Sequence, residues 1–120
     1  MSTDTRILVV EDNSETRYVL ERVLHMEGYT CVSVDDAPSA LRHLNGGQRP
    51  AVIILDLHLP GMDGRTLLRE LRARPDLANI PVVVFSGDPG DVPDAAACVR
   101  KGRDDPDVLL RAISGCLVKA

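Results

Sequence analysis

Short unbroken apolar runs alternate along this chain with longer stretches in which apolar residues recur every three or four positions. The first run, residues 7–10 (ILVV), ends in Glu11, Asp12 and Asn13, after which Tyr18, Val19, Leu20, Val23 and Leu24 fall at helical spacing. That pattern predicts a strand, an acidic loop and a helix. Gly28 ends the helix, and Cys31, Val32 and Val34 form a second short strand. Pro38 can open a helix carrying Ala40, Leu41 and Leu44, which Asn45, Gly46 and Gly47 then stop. Residues 51–55 (AVIIL) are uninterruptedly apolar, as expected of a central parallel strand covered on both faces, and the run terminates in Asp56.

After a loop over residues 57–64, Leu67, Leu68 and Leu71 supply a third helical stripe, and residues 80–85 (IPVVVF) give a fourth strand ending at Ser86. Residues 87–94 are rich in Gly, Pro and Asp and must be loop, which leaves only residues 95–99 before Lys101 and little space for a helix. The last helix starts with Asp104 or Asp105 as its cap and Pro106 in its first turn, with Val108, Leu109, Ala112, Ile113 and Leu117 on one face. Strands alternating with helices, joined by right-handed crossovers, predict an α/β fold with an open parallel sheet covered on both faces. Five strands in the order 2-1-3-4-5 are expected. In such sheets ligands bind beyond the carboxyl ends of the strands where the order reverses, here between the first and third. Those ends carry Glu11, Asp12 and Asp56.

Composition narrows the picture by exclusion. A chain of 120 residues fits one domain, residues 1–120, with a core of its own. At 44% hydrophobic and 27% charged it is neither a disordered chain nor a membrane protein, and no apolar run is long enough to cross a bilayer. No export signal is visible at the N-terminus, so a cytoplasmic location is expected. Cys31, Cys98 and Cys116 lie far apart and are not spaced with His25, His43 or His58 as zinc ligands would be, so they are read as reduced thiols. A net charge of -4 with scattered basic residues, and aromatics at 2%, exclude direct nucleic-acid binding and a stacking platform for flavin.

Three carboxylates converging from distant parts of the sequence repel one another unless a cation or shared protons offset the cost. A hard divalent ion is the natural partner, and Mg2+, which takes oxygen ligands, keeps several waters and uses few carboxylates, suits such a loop site. Asp56 would then be a nucleophile that accepts a phosphoryl group as an acyl phosphate. A hydroxyl and an ammonium are wanted to hold the phosphoryl oxygens, and Ser86 and Lys101 stand at the remaining strand ends. The only other lysine is Lys119. Read blandly, Glu11 and Asp12 are a solvated loop that caps the first helix, and Lys101 is an exposed lysine.

The stretches ILVVEDN, VIILDLHLPGMDG and VVVFSG, with a lysine further on, resemble the receiver domain of response regulators over nearly the whole chain. The resemblance implies a flavodoxin-like, doubly wound five-stranded sheet and a two-component phosphoacceptor switch. It makes Glu11 and Asp12 the acidic pair, Asp56 the phosphoacceptor, Ser86 the switch hydroxyl and Lys101 the phosphate-pairing lysine. The backbone carbonyl of His58 would complete the Mg2+ site, and Pro60, Gly61 and Gly64 match the loop after the acceptor. The partners implied are a histidine kinase or histidine phosphotransfer protein as donor and a downstream protein. With one helix before Ala120, output is expected to fall to a separate protein or to be a return of the phosphoryl group to a relay protein.

The chain departs from that family's pattern on one side. From Ser86 to Lys101 is about 15 residues, shorter than usual by roughly two helical turns, so the fourth helix should be short or missing. The aromatic usual two positions before the lysine is Val99, and the proline usual after it is Gly102. These departures favour the competing reading, a phosphorylation-independent interaction module with a receiver-like fold. An aspartate-nucleophile phosphatase would want a second acid two residues after Asp56, where His58 stands, and a flavodoxin would want a Ser/Thr/Gly-rich loop where Glu11 and Asp12 stand. Neither enzyme nor flavoprotein is therefore expected.

Overall fold

The computed structural model describes residues 5–47 and 49–118. Its first strand, β1 (Arg6–Val10), alternates its side chains between two covered faces, sending Ile7 and Val9 into one apolar cluster and Leu8 and Val10 into another. The third and fourth strands, β3 (Val52–Leu55) and β4 (Val82–Ser86), divide in the same way, with Val52, Ile54 and Val83 opposite Ile53, Leu55, Val82 and Val84. Unbroken apolar runs are what two covered faces require. Strands β2 (Thr30–Val34) and β5 (Ala97–Arg100) form the edges, every pairing is parallel, and the order β2-β1-β3-β4-β5 is the one expected.

Helices α1 (Ser14–Met26) and α4 (Pro106–Val118) cover one face with Leu20, Leu24, Leu109 and Ile113. On the other lie α2 (Ala37–Asn45) and α3 (Gly64–Ala73), which contribute Ala40, Leu44, Leu67, Leu68 and Leu71. Asn13, Asp36 and Asp63 cap the first three helices, each accepting a hydrogen bond from the backbone amide three residues on. One detail departs from the sequence reading. Tyr18 and Val19 are 60% and 56% exposed, because the apolar run on α1 is wider than the arc that meets the sheet. Of the two expected caps of α4, Asp105 directly precedes the helix and its carbonyl accepts the Val108 amide at 2.9 Å, while Asp104 turns its carboxylate back to accept the Arg100 amide at 2.9 Å.

No helix forms between β4 and β5. Residues 87–96 instead cross the sheet as an irregular strap, with Val92 buried in the cluster under α2 and α3 and Ala95 packed beside it. A strap leaves backbone carbonyls without helical partners, and two arginines of α3 supply the missing donors. Arg65 bonds the Asp91 carbonyl at 3.0 Å and also that of Pro89. Arg72 reaches the Asp94 carbonyl at 3.0 Å and those of Ala78 and Ile80 at 3.1 and 2.9 Å. The strap then enters β5 through the Ala96 amide, which donates to the Val82 carbonyl at 2.8 Å. No helix among the described residues is long and apolar enough to cross a membrane.

Candidate functional site

The parallel ladders continue one residue past the strands, and this fixes where the polar side chains emerge. The Glu11 amide donates to the Val34 carbonyl at 3.0 Å, that of Asp56 to Val10 at 3.0 Å, and that of Lys101 to Ser86 at 2.9 Å. Glu11, Asp56 and Lys101 therefore leave the sheet at one level, beside Ser86 and at the reversal between β1 and β3. All four stand where the strand-end reading put them.

Gly64 sets the other wall. A Cβ there would lie 2.4 Å from the Asp56 carbonyl oxygen and 2.7 Å from the Leu57 Cα, so the first turn of α3 rests directly on the backbone leaving β3. The Gly64 amide donates to the Leu57 carbonyl at 2.9 Å across this contact. Gly102, after Lys101, has φ 76°, a left-handed conformation that the ring of proline forbids. The chain thus turns away from the lysine in a manner unavailable to the proline usual at that position.

Glu11 and Asp56 are 1% and 5% exposed, unusual burial for carboxylates, and Ser86 is wholly buried. Lys101 Nζ lies 2.5 Å from Glu11 Oε1 and 3.3 Å from Asp56 Oδ2, bridging the two. Burial pushes the Glu11 carboxyl above its usual range and the charge of Asp56 pushes the same way; the bonds from Lys101 and the Asn13 amide hold it back. Asp56 Oδ1 accepts the His58 amide at 3.1 Å, while the His58 side chain points to solvent. Asp12 is exposed, and Asn13, not the acidic pair, caps α1, so the bland reading of the pair as a helix cap fails. Lys119, the other lysine, lies outside the described residues.

Two residues that sequence reasoning passed over belong to this site. Arg17 Nη1 donates to the carbonyls of Glu11 and Asp12 at 2.9 and 3.1 Å, tying the acidic loop to α1. Its place on the first turns of α1, within reach of that loop, was the available signal. The ring of Phe85 lies under the Lys101 ammonium, 5.5 Å from Nζ to its centroid. Only the tertiary structure reveals that contact.

Glu11, Asp12 and Asp56 each offer one carboxylate oxygen, all within 4.8 Å of one another. Three anionic oxygens this close, two of them buried, fit a hard divalent cation, and one lysine cannot neutralise them. Among the described residues Ser86 Oγ is the buried side-chain polar atom left without a hydrogen-bond partner, and it is set in the strand beside β3. A donor with no acceptor next to a carboxylate with an ammonium can receive an oxyanion.

Residues 7–108 match the family described as the response regulator receiver domain. Over 104 residues, 84% of this chain, it is 35% identical to the C4-dicarboxylate transport transcriptional regulatory protein DctD of Pseudomonas aeruginosa. The chain spans 21% of that regulator's length, about a fifth. Among solved structures it resembles the signal receiver domain of a signal transduction histidine kinase from Syntrophus aciditrophicus, with a TM-score of 0.86 and 31% identity over 97% of this chain and 92% of that one. It is also similar to the receiver domain of a sensor histidine kinase from Pseudomonas aeruginosa, with a magnesium ion coordinated in the active site cleft of that protein. There the TM-score is 0.85 and identity 25%, covering 97% of this chain and 99% of the other.

Proposed function

Because the chain belongs to the response-regulator receiver family, whose members are signalling modules, we propose that it is a phosphoacceptor switch in which Asp56 receives a phosphoryl group from a phosphohistidine donor. The observation that carries the proposal is the setting of Asp56: a 5% exposed carboxylate at a strand end, 3.3 Å from an ammonium and grouped with two further acids. In the transfer a carboxylate oxygen of Asp56 attacks phosphorus. The new O–P bond forms as the P–N bond of the phosphohistidine breaks, and the electron pair leaves on the imidazole nitrogen. The donor is a histidine kinase or a histidine phosphotransfer protein.

Lys101 pairs with the incoming phosphoryl oxygens, and Ser86 Oγ supplies the hydrogen bond it does not make within the described residues. Glu11, Asp12 and Asp56, with the carbonyl of His58, would hold Mg2+. Bound there, the ion would neutralise the crowded carboxylates and spread the charge of the phosphoryl oxygens. Arg17 holds the loop that presents two of these acids. The whole forms a single receiver unit that catalyses no turnover beyond slow loss of its own phosphoryl group, and its output is altered binding to a downstream protein.

The test is phosphorylation by acetyl phosphate with and without Mg2+, read by intact mass. A Mg2+-dependent phosphate adduct in the wild type, absent from Asp56→Asn, is the expected result. No adduct, with Mg2+ affinity measured by titration on the same sample, would transfer the argument to a phosphorylation-independent interaction module. The missing helix between β4 and β5 is the observation that favours that second reading.

A further inference from the structure

We infer that Phe85 relays the state of the Asp56 centre to the surface groove between α1 and α4, with the Lys101 ammonium as the link; the inference rests on the phosphoacceptor reading. Phe85 directly precedes Ser86, so its side chain leaves β4 on the opposite face, among Leu20, Val83, Val99 and Leu109. It is half-buried and helps to line a groove of about 570 Å³ with Val19, Leu20, Val23, Gly102 and Leu109. A second, shallower hollow of about 400 Å³ places it against Glu15, Thr16 and Val19 of α1. One ring thus touches both the site's cation and an open apolar surface.

Lys101 Nζ has three attractive neighbours: Glu11 Oε1, Asp56 Oδ2 and the ring of Phe85. Phosphorylation replaces the single charge of Asp56 by a phosphoryl group of nearly two negative charges, set further from the strand. The ammonium must follow that charge, and attraction to the ring's face weakens once the cation leaves it. A second link runs through the chain itself. Ser86 Oγ is buried without a partner, and turning towards a phosphoryl oxygen would shift the end of β4 that carries Phe85. The ring can respond because it is only half-buried and borders two open grooves. Val99, across the ladder from Phe85, is 1% exposed and has no comparable freedom.

The chain contains one phenylalanine, so incorporation of 4-fluorophenylalanine gives a single fluorine resonance. The labelled protein is treated with acetyl phosphate and Mg2+ while intact mass reports the adduct in the same tube. A second, shifted resonance should grow in proportion to the adduct, revert as it hydrolyses, and be absent from Asp56→Asn. In unlabelled protein the methyl signals of Val19 and Leu109 should move on phosphorylation in the wild type and in Phe85→Tyr, and stay in place in phosphorylated Phe85→Leu. An adduct with an unmoved fluorine resonance, or methyl shifts of wild-type size in Phe85→Leu, overturns the relay and leaves the phosphoacceptor standing. No adduct at all overturns both.

Discussion

Substituting Gly64 by alanine sets two effects of opposite sign against each other. Alanine is the better helix former, and at an unhindered helical position the change stabilises by up to about 1 kcal/mol. At Gly64 the added carbon meets the Asp56 carbonyl oxygen at 2.4 Å and the Leu57 Cα at 2.7 Å, both backbone atoms. Restoring an ordinary contact means moving α3 away from β3 by about 1 Å, against the bonds from the Asp56 amide to Val10 and from the Gly64 amide to Leu57. Overpacking of this kind costs about 1–3 kcal/mol, so Gly64→Ala should lose stability despite its better propensity. Gly115→Ala is the internal control, since nothing lies within 4 Å of that Cβ in the exposed part of α4, and it should gain about 0.5–1 kcal/mol. Urea titration reads both, and with a slope near 1–3 kcal/mol/M the midpoint of Gly64→Ala should fall by about 1 M. Because the displaced backbone carries Asp56, its rate of phosphorylation by acetyl phosphate should also drop by as much as about 100-fold. A Gly64→Ala protein as stable as the wild type and phosphorylated at the same rate would mean that the contact between α3 and the end of β3 neither strains the fold nor places Asp56.

Three further outcomes follow from other contacts. Lys101→Ala removes the ammonium between Glu11 and Asp56 and should cost about 1–3 kcal/mol at neutral pH, less than a fully buried pair because a quarter of the lysine is exposed. Glu11 is already raised above its ordinary 4.5 and rises further without the lysine; a raised acid destabilises the fold when ionised, so the deficit should shrink as pH falls from about 8 to about 5, read by thermal melts. Arg72→Ala strips bonds from the carbonyls of Ala78, Ile80 and Asp94, and hydrogen exchange should show protection lost over residues 87–96 with a global cost of about 1–3 kcal/mol. Asp36 is held below the ordinary 3.8 by the Ser39 hydroxyl and then the Ser39 amide, and Asp63 chiefly by the Thr66 amide, so their contribution is complete above that value and disappears as pH falls through their depressed values; the acid limb of the melting curve should flatten in Asp63→Ala.

What the sequence disclosed follows the physics of two covered faces. Residues 7–10, 52–55 and 82–84 had to be apolar at every position because there each strand is buried on both sides, and the period-2 division between clusters bears this out; the runs expected over 51–55 and 80–85 begin one and two residues before β3 and β4. Each run stops where a polar side chain leaves the sheet, which is why Glu11, Asp56 and Ser86 were readable as strand ends. Lys101 was less legible, marked by the short run of residues 95–99 before it and by the lack of another lysine but Lys119. The strap was foreseen as missing helix, yet not as structure: what holds it is Arg65 and Arg72 reaching carbonyls more than twenty residues away. Those two arginines look like any charged residues on a helix face. Tyr18 and Val19 misled for a related reason, since spacing alone does not say how wide the buried arc of α1 is.

The strap also explains how the chain loses a helix on one side of the sheet and keeps the site intact. Lys101 is positioned by the β4–β5 ladder through its amide and the Ser86 carbonyl, a constraint that is indifferent to what connects the two strands. A connection between parallel neighbours must only cross the sheet and cover the apolar face it passes, here Val82 and Val84. Val92 and Ala95 supply that cover, and α3 supplies the hydrogen-bond donors that an irregular backbone lacks. The polar centre and the surface beside it are therefore specified by separate sets of residues. Such independence lets the connection between β4 and β5 be rebuilt without moving Asp56, and it leaves Phe85, where it meets Lys101 beside the groove between α1 and α4, free to carry the relay inferred above.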